Sequence, residues 1–199
     1  MARRVHLTSA SLQGMRSRRE KVNKKQKGFS LIELLIVVAI ILIIAAIAIP
    51  NLLRAKIAAN QSAAVGTLRT ISSAEETFSS TYSDGFTLTQ AQLGGAAGAA
   101  GTCAAAHLID EVLGNDPATK GGYKFTFANN GVAALTTGIP AACGASGDTG
   151  FSVTAAPISL STGTAAYCID ETGVVRVDSA ATVGELMNPC STSGKPPLQ

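Results

Sequence analysis

Lys27-Gly28-Phe29-Ser30-Leu31-Ile32-Glu33-Leu34-Leu35 opens an apolar run that continues without a polar side chain from Leu34 to Ile49 and stops at Pro50. Phe29 to Ile49 is 21 residues, about 31 Å as a helix, enough to cross the hydrocarbon core of a bilayer. In lipid the backbone must satisfy its own hydrogen bonds, so a spanning segment of this kind is a helix. Glu33 sits inside the run. A carboxylate at that depth costs roughly 2.5 kcal/mol or more, which marks it as a functional residue with a partner to be found. The plainer alternative is that Glu33, one turn from the helix start, reaches the headgroups. Its charge also agrees in sign with the positive end of a helix dipole.

The net charge of +3 joins two regions of opposite sign. Residues 1–28 hold nine Lys/Arg and one acid, Glu20, giving +8, while residues 29–199 hold 7 bases and 12 acids, giving −5. A basic block beside an apolar span reads as the positive-inside flank, with the N-terminus in the cytoplasm and the C-terminus outside. No small-residue cleavage site follows the apolar run, so the run stays in the mature chain. The acidic remainder argues against broad nucleic-acid affinity, leaving Lys120 and Lys124 as the only local grip considered.

At Lys27 to Leu35 the sequence resembles the processing and methylation site of type IV prepilins and of the related type II secretion pseudopilins, closely over about residues 24–53. The resemblance implies that a membrane-embedded prepilin peptidase cuts after Gly28 and N-methylates Phe29. It implies that Glu33 neutralises the Phe29 amine of an adjacent subunit during filament assembly. On one helix the new amine and Glu33 lie at i and i+4, on the same face. Pro50 falls where these proteins carry a helix-breaking proline. The implied partners are the peptidase, other copies of the chain in a filament, the inner membrane and the pilus assembly machinery. The expected location is the inner membrane before assembly and a surface pilus after it. The leader, residues 1–28, is long for such proteins; a start at Met15 would leave 14 residues before the cut and keep most of the charge.

Three segments are therefore expected: a cleaved basic leader at 1–28, an N-terminal helix at 29–80 and a globular head at 81–199. Within the helix, 29–49 is the transmembrane and filament-core part and 50–80 is amphipathic. Pro50 should kink or locally melt it, because the amide that would bond Ala46 is missing. Beyond Pro50, Leu53, Ile57, Ala64, Leu68, Ile71 and Phe78 recur at near-helical spacing, a stripe that packs on a head. Tyr82-Ser83-Asp84-Gly85 supplies turn chemistry to close the helix.

Gly94 to Ala106 lacks large side chains and reads as a surface connection, and His107 to Leu113 as a short helix stopped by Gly114 and Pro117. Tyr123, Phe125 and Phe127, and then Phe151, Val153 and Ala155, alternate with small or polar residues as strands do. Ala165–Ile169 and Val174–Val177 flank Asp170-Glu171-Thr172-Gly173, a hairpin turn. The expected architecture is α+β: a long kinked helix under three or four antiparallel strands.

Cys103, Cys143, Cys168 and Cys190 would all lie on the oxidising side of the membrane. Spacing leaves all three pairings open and gives no C-x-x-C metal or redox motif. Cys168–Cys190 with Cys103–Cys143 is preferred, since pilins resembling this chain often close a C-terminal loop with a disulfide. No catalytic constellation is visible: His6 falls in the leader, and His107 has no motif around it. The scattered acids Asp84, Asp110, Glu111, Asp116, Asp148 and Asp170 suit solvated turns better than calcium. A structural subunit without catalytic residues, cofactor or metal is the expected function. A type II secretion pseudopilin, a DNA-uptake or adhesin-like tip subunit and an inert single-pass anchor are its alternatives.

Overall fold

The computed structural model describes residues 28–83, 85–95, 101–129, 147–179, 190 and 196–198. The leader up to Lys27, Asp84 and Cys143 therefore lie outside the described residues. Helix α1, Leu31–Tyr82, runs for 52 residues through Pro50. The chain divides into two compact units, Met1–Ile43 and Ile44–Gln199. In the first, Gly28–Ser30 is non-helical, the helix follows, and every described residue is exposed.

In the second unit α1 does not melt at Pro50. The helix continues on both sides of the ring, so the loss of one amide is absorbed within a continuous element. The face that becomes core begins later than the stripe suggested. Ala64, Leu68, Ile71, Ala74 and Phe78 are buried at spacings of three and four, whereas Leu53 is exposed and Ile57 only half-buried. The helix ends where Ser83 adopts a left-handed φ of 53° and its amide bonds the carbonyl of Ser79.

Among the described residues the sheet has five strands rather than three or four: β1 (Ala118–Lys120), β2 (Tyr123–Asn129), β3 (Phe151–Pro157), β4 (Ala166–Asp170) and β5 (Arg176–Asp178). They form an antiparallel meander in that spatial order. Tyr123, Phe125 and Phe127 pair with Pro157, Ala155 and Val153, which puts the aromatic side of β2 and the apolar side of β3 on one face. These residues join Leu68, Ile71 and Phe78 of α1 in a single core. The molecule is thus an α+β fold with a long, N-terminally apolar helix.

The alternation expected of β3 is not visible as burial, since all seven of its residues are buried. The sheet is covered on its second face too, where Cys190 packs on Ala166 and Cys168. β4 and β5 sit a residue or two later than expected, joined by the turn Asp170–Gly173, in which the Gly173 amide bonds the Asp170 carbonyl at 2.9 Å and Gly173 has φ 71°.

Two other expectations fail. His107 to Leu113 forms no helix: the amides of Ala106, His107, Leu108 and Ile109 donate to carbonyls of Gln92, Leu93 and Gly94. His107 itself adopts a left-handed φ of 56°, which a right-handed helix cannot include, and only one turn closes over Asp110. Nor is Gly94–Ala106 wholly superficial, for Gly94, Cys103 and Ala106 are buried. A Cβ on Gly94 would lie 2.7 Å from Gly114 Cα, so the small residues permit backbone-to-backbone packing. A short helix α2 (Gln90–Leu93) precedes them, capped by Gln92 Oε1 accepting from the Leu88 and Thr89 amides.

Candidate functional site

The segment Gly28-Phe29-Ser30 enters α1 as exposed, non-helical chain. A Cβ at Gly28 would meet nothing within 4 Å, so neither packing nor a left-handed φ requires glycine here. Phe29 is 81% exposed. Ser30 is the N-cap residue: its carbonyl accepts the first helical bond from Leu34 at 3.2 Å. Glu33 is the third residue of the helix, and its Oε2 accepts the Ser30 amide at 3.0 Å. That contact is half of a capping box, and its signal, Ser-x-x-Glu, stood in the sequence without being read so. Glu33 thus has a local role in the uncut chain, stabilising the helix start beside the expected scissile bond.

From Phe29 to Leu53 the large apolar side chains remain exposed. The segment is long and apolar enough to cross a bilayer. An exposed surface of this size is not tolerated in water and marks a lipid or protein contact.

Cys168 and Cys190, both fully buried, are joined by a disulfide with Cα atoms 5.7 Å apart. The bond ties the chain beyond β5 to the second face of β4. Cys103 is also disulfide-bonded; Cys143, expected as its partner, is outside the described residues. Not all of the scattered acids lie in solvated turns: Asp110, Glu111 and Asp116 are exposed, but Asp148 and Asp170 are buried. Asp110 pairs with Lys120 at 2.5 Å, an ion pair that draws its pKa down. Asp170 Oδ1 accepts the amide and hydroxyl of Thr172. Among the described residues, no group of three or more His, Cys, Asp or Glu side chains is placed to hold a metal. Lys120, one of the two bases considered for a nucleic-acid grip, is engaged by Asp110. An open cleft of about 460 Å³ between α1 and Tyr167, with Gln61 and Arg69 on its wall, holds no nucleophile–base pair.

Glu75 is a further buried acid that the sequence does not mark. Glu75 of α1 is fully buried, and its two oxygens accept the Thr87 amide at 2.9 Å and the Thr87 hydroxyl at 2.6 Å. Burial pushes its carboxyl up to about 7, against the opposing pull of the two Thr87 donors. A glutamate between Ala74 and Glu76 looks like a solvated helix face, and nothing local in the sequence distinguishes it.

Residues 23–49 match the family described as the prokaryotic N-terminal methylation motif. The chain is similar to the type IV major pilin protein PilA of Myxococcus xanthus (strain DK1622), at 46% identity over 67 residues. That similarity covers 32% of this chain and 30% of the relative, so the chain matches less than a third of the relative's length. No solved structure matches the chain. The chain is thus similar to type IV pilins over its methylation motif and about a third of its length.

Proposed function

We propose that this protein is a structural subunit of a type IV pilus, cut between Gly28 and Phe29 by a prepilin peptidase and N-methylated on Phe29. Before assembly it is a single-pass inner-membrane protein, with the basic leader in the cytoplasm and the disulfide-bonded head outside. The assembly machinery then moves the apolar helix from lipid into a filament core built from further copies of the chain. Lipid and neighbouring helices are similarly apolar, so packing and the Glu33 carboxylate select the docking position rather than hydrophobicity. In that position Glu33 receives the ammonium of Phe29 from an adjacent subunit.

The observation that carries this reading is the conjunction at Gly28. A glycine that the fold does not need stands in exposed, non-helical chain beside a membrane-length helix, inside a methylation motif. Peptidase access to the bond then accounts for the residue. Gly28→Val should leave a full-length membrane protein with an unchanged head and no filaments. Mass spectrometry of membrane and sheared fractions reads the outcome; normal trimming of the variant would place the cut elsewhere.

A further inference from the structure

The end of the sheet that meets Asn60 and Gln61 of α1 carries an exposed apolar turn. β3 starts beside Phe86, whose ring lies 5.1 Å from that of Phe151, and Thr87 is bonded to Glu75 far along the helix. β3 then runs back along α1, and the β3–β4 connection comes down at Asn60 and Gln61. Asn60 Nδ2 donates to the Thr162 carbonyl at 3.0 Å, and Gln61 Nε2 to Thr164 Oγ1 at 3.1 Å. The connection is a closed turn and not a slack loop: the Thr162 and Gly163 amides donate to the Ser159 carbonyl, and Thr162 Oγ1 accepts from the Ser159 amide. At its tip Ile158 and Leu160 are 48% and 68% exposed. No charged residue occurs from Phe151 to Ile169.

The position of this tip follows from α1. Leu34 to Leu53 is the uncharged stretch between Glu33 and Arg54, about 30 Å of helix and equal to a hydrocarbon core. Arg54 and Lys56, both exposed, then fall in the headgroup layer, and α1 carries no acid between Glu33 and Glu75. Asn60 stands seven residues past Leu53, about 10 Å along the axis. The headgroup layer is roughly 5–8 Å deep on each side, so a leucine side chain reaching back from that level enters it. We infer that in the membrane-stored subunit the β3–β4 turn rests on the lipid surface, with Ile158 and Leu160 in the headgroup layer beside Arg54 and Lys56. The inference rests on the membrane reading above and adds a second lipid contact, made by the head itself. Withdrawing the subunit from the membrane then requires this turn to leave lipid as well as the helix.

The chain contains no tryptophan, so single reporters can be placed at will. The full chain, reconstituted into phosphatidylcholine–phosphatidylglycerol vesicles, would carry Leu160→Trp, Val174→Trp at the opposite end of β4, or Ile40→Trp in the apolar helix. Leu160→Trp should emit to the blue, be quenched by lipids brominated near the headgroup and be shielded from aqueous acrylamide. Val174→Trp should show the reverse. Equal behaviour at positions 160 and 174 would overturn the inference. So would acrylamide shielding at 160 without lipid quenching that grows with protein density, because a second copy would then cover the turn. Failure of Ile40→Trp to be quenched by lipids brominated deep in the chain would instead remove the membrane reading, and this inference with it.

Discussion

At the residue scale the least expected group is Glu75. Its carboxylate has two donors and no counter-cation contributing to its state, and burial raises its pKa from 4.5 to about 7. In the unfolded chain it ionises near 4.5, so between these values the folded protein holds a proton that the unfolded chain has lost. Stability contributed by this group is therefore fully present below about pH 4.5 and falls as pH rises to about 7, by roughly 3 kcal/mol. Thr87 accommodates both states, because its hydroxyl can accept from a protonated Oε1 while its amide still donates to Oε2. Glu75→Gln keeps the shape, can donate to the hydroxyl and never charges. Urea melts of the full chain in detergent should show a wild-type midpoint that drops between pH 4.5 and 7. The variant should lack that component and be the more stable protein at pH 8. Superimposable pH profiles would mean that Glu75 is ionised at little cost.

At the element scale the disulfide on β4 does what the short outer strands cannot. β5 has three residues and depends on a neighbour on each side: β4, and the Pro196–Leu198 segment, whose Leu198 amide donates to the Val175 carbonyl at 2.8 Å. Cys168–Cys190 closes a separation of 22 residues, which the chain-entropy model values at about 3 kcal/mol. Cys190→Ser should lower the denaturation midpoint accordingly and expose one new thiol, at Cys168, to labelling under denaturing, non-reducing conditions. Labelling at Cys103 would show that the remaining pairing rearranges. Legibility in the sequence follows the same division. β2 and β3 were readable because Tyr123, Phe125, Phe127, Phe151 and Val153 alternate over enough residues to fix a period. β1 was not, since Ala118-Thr119-Lys120 is too short for a period and is a strand only because Phe125, Lys124 and Tyr123 lie opposite. His107 to Leu113 carried a helical pattern, but His107 is held in a left-handed conformation against α2 and its flank, a tertiary fact invisible in local sequence. The Gly94–Gly114 approach was hidden likewise, because low complexity reads the same on a surface and in a tight backbone contact.

At the scale of the whole molecule, one chain is made for two environments: a head with its own core, and an apolar helix whose first half has none. Phe29 to Leu53 stays uncovered in the single chain, and on the proposed function lipid and other subunits would compete for that surface. Glu33 bears on that competition. In the uncut chain it accepts the Ser30 amide, a bond that holds the helix start but leaves a carboxylate at the edge of an apolar stretch. On the proposed function, a cut after Gly28 would create an ammonium at Phe29, and a neighbouring subunit would bring its own to the second carboxylate oxygen. Glu33→Leu separates these roles. Insertion should persist, since leucine is more favourable in lipid than glutamate. Cleavage should persist as well, because Gly28 and the bond after it are unchanged, with only slight fraying of the first helical turn. Filaments should be lost, and co-expression with wild type should give few or short ones. Glu33→Gln still caps Ser30 through its amide oxygen but carries no charge, whereas Glu33→Asp keeps the charge with a shorter reach. If charge pairing sets the docking position, Asp retains more assembly than Gln, read as pilin in sheared fractions against total pilin. If capping is what matters, Gln assembles as wild type does, and abundant filaments from Glu33→Leu would leave apolar packing alone to fix the register.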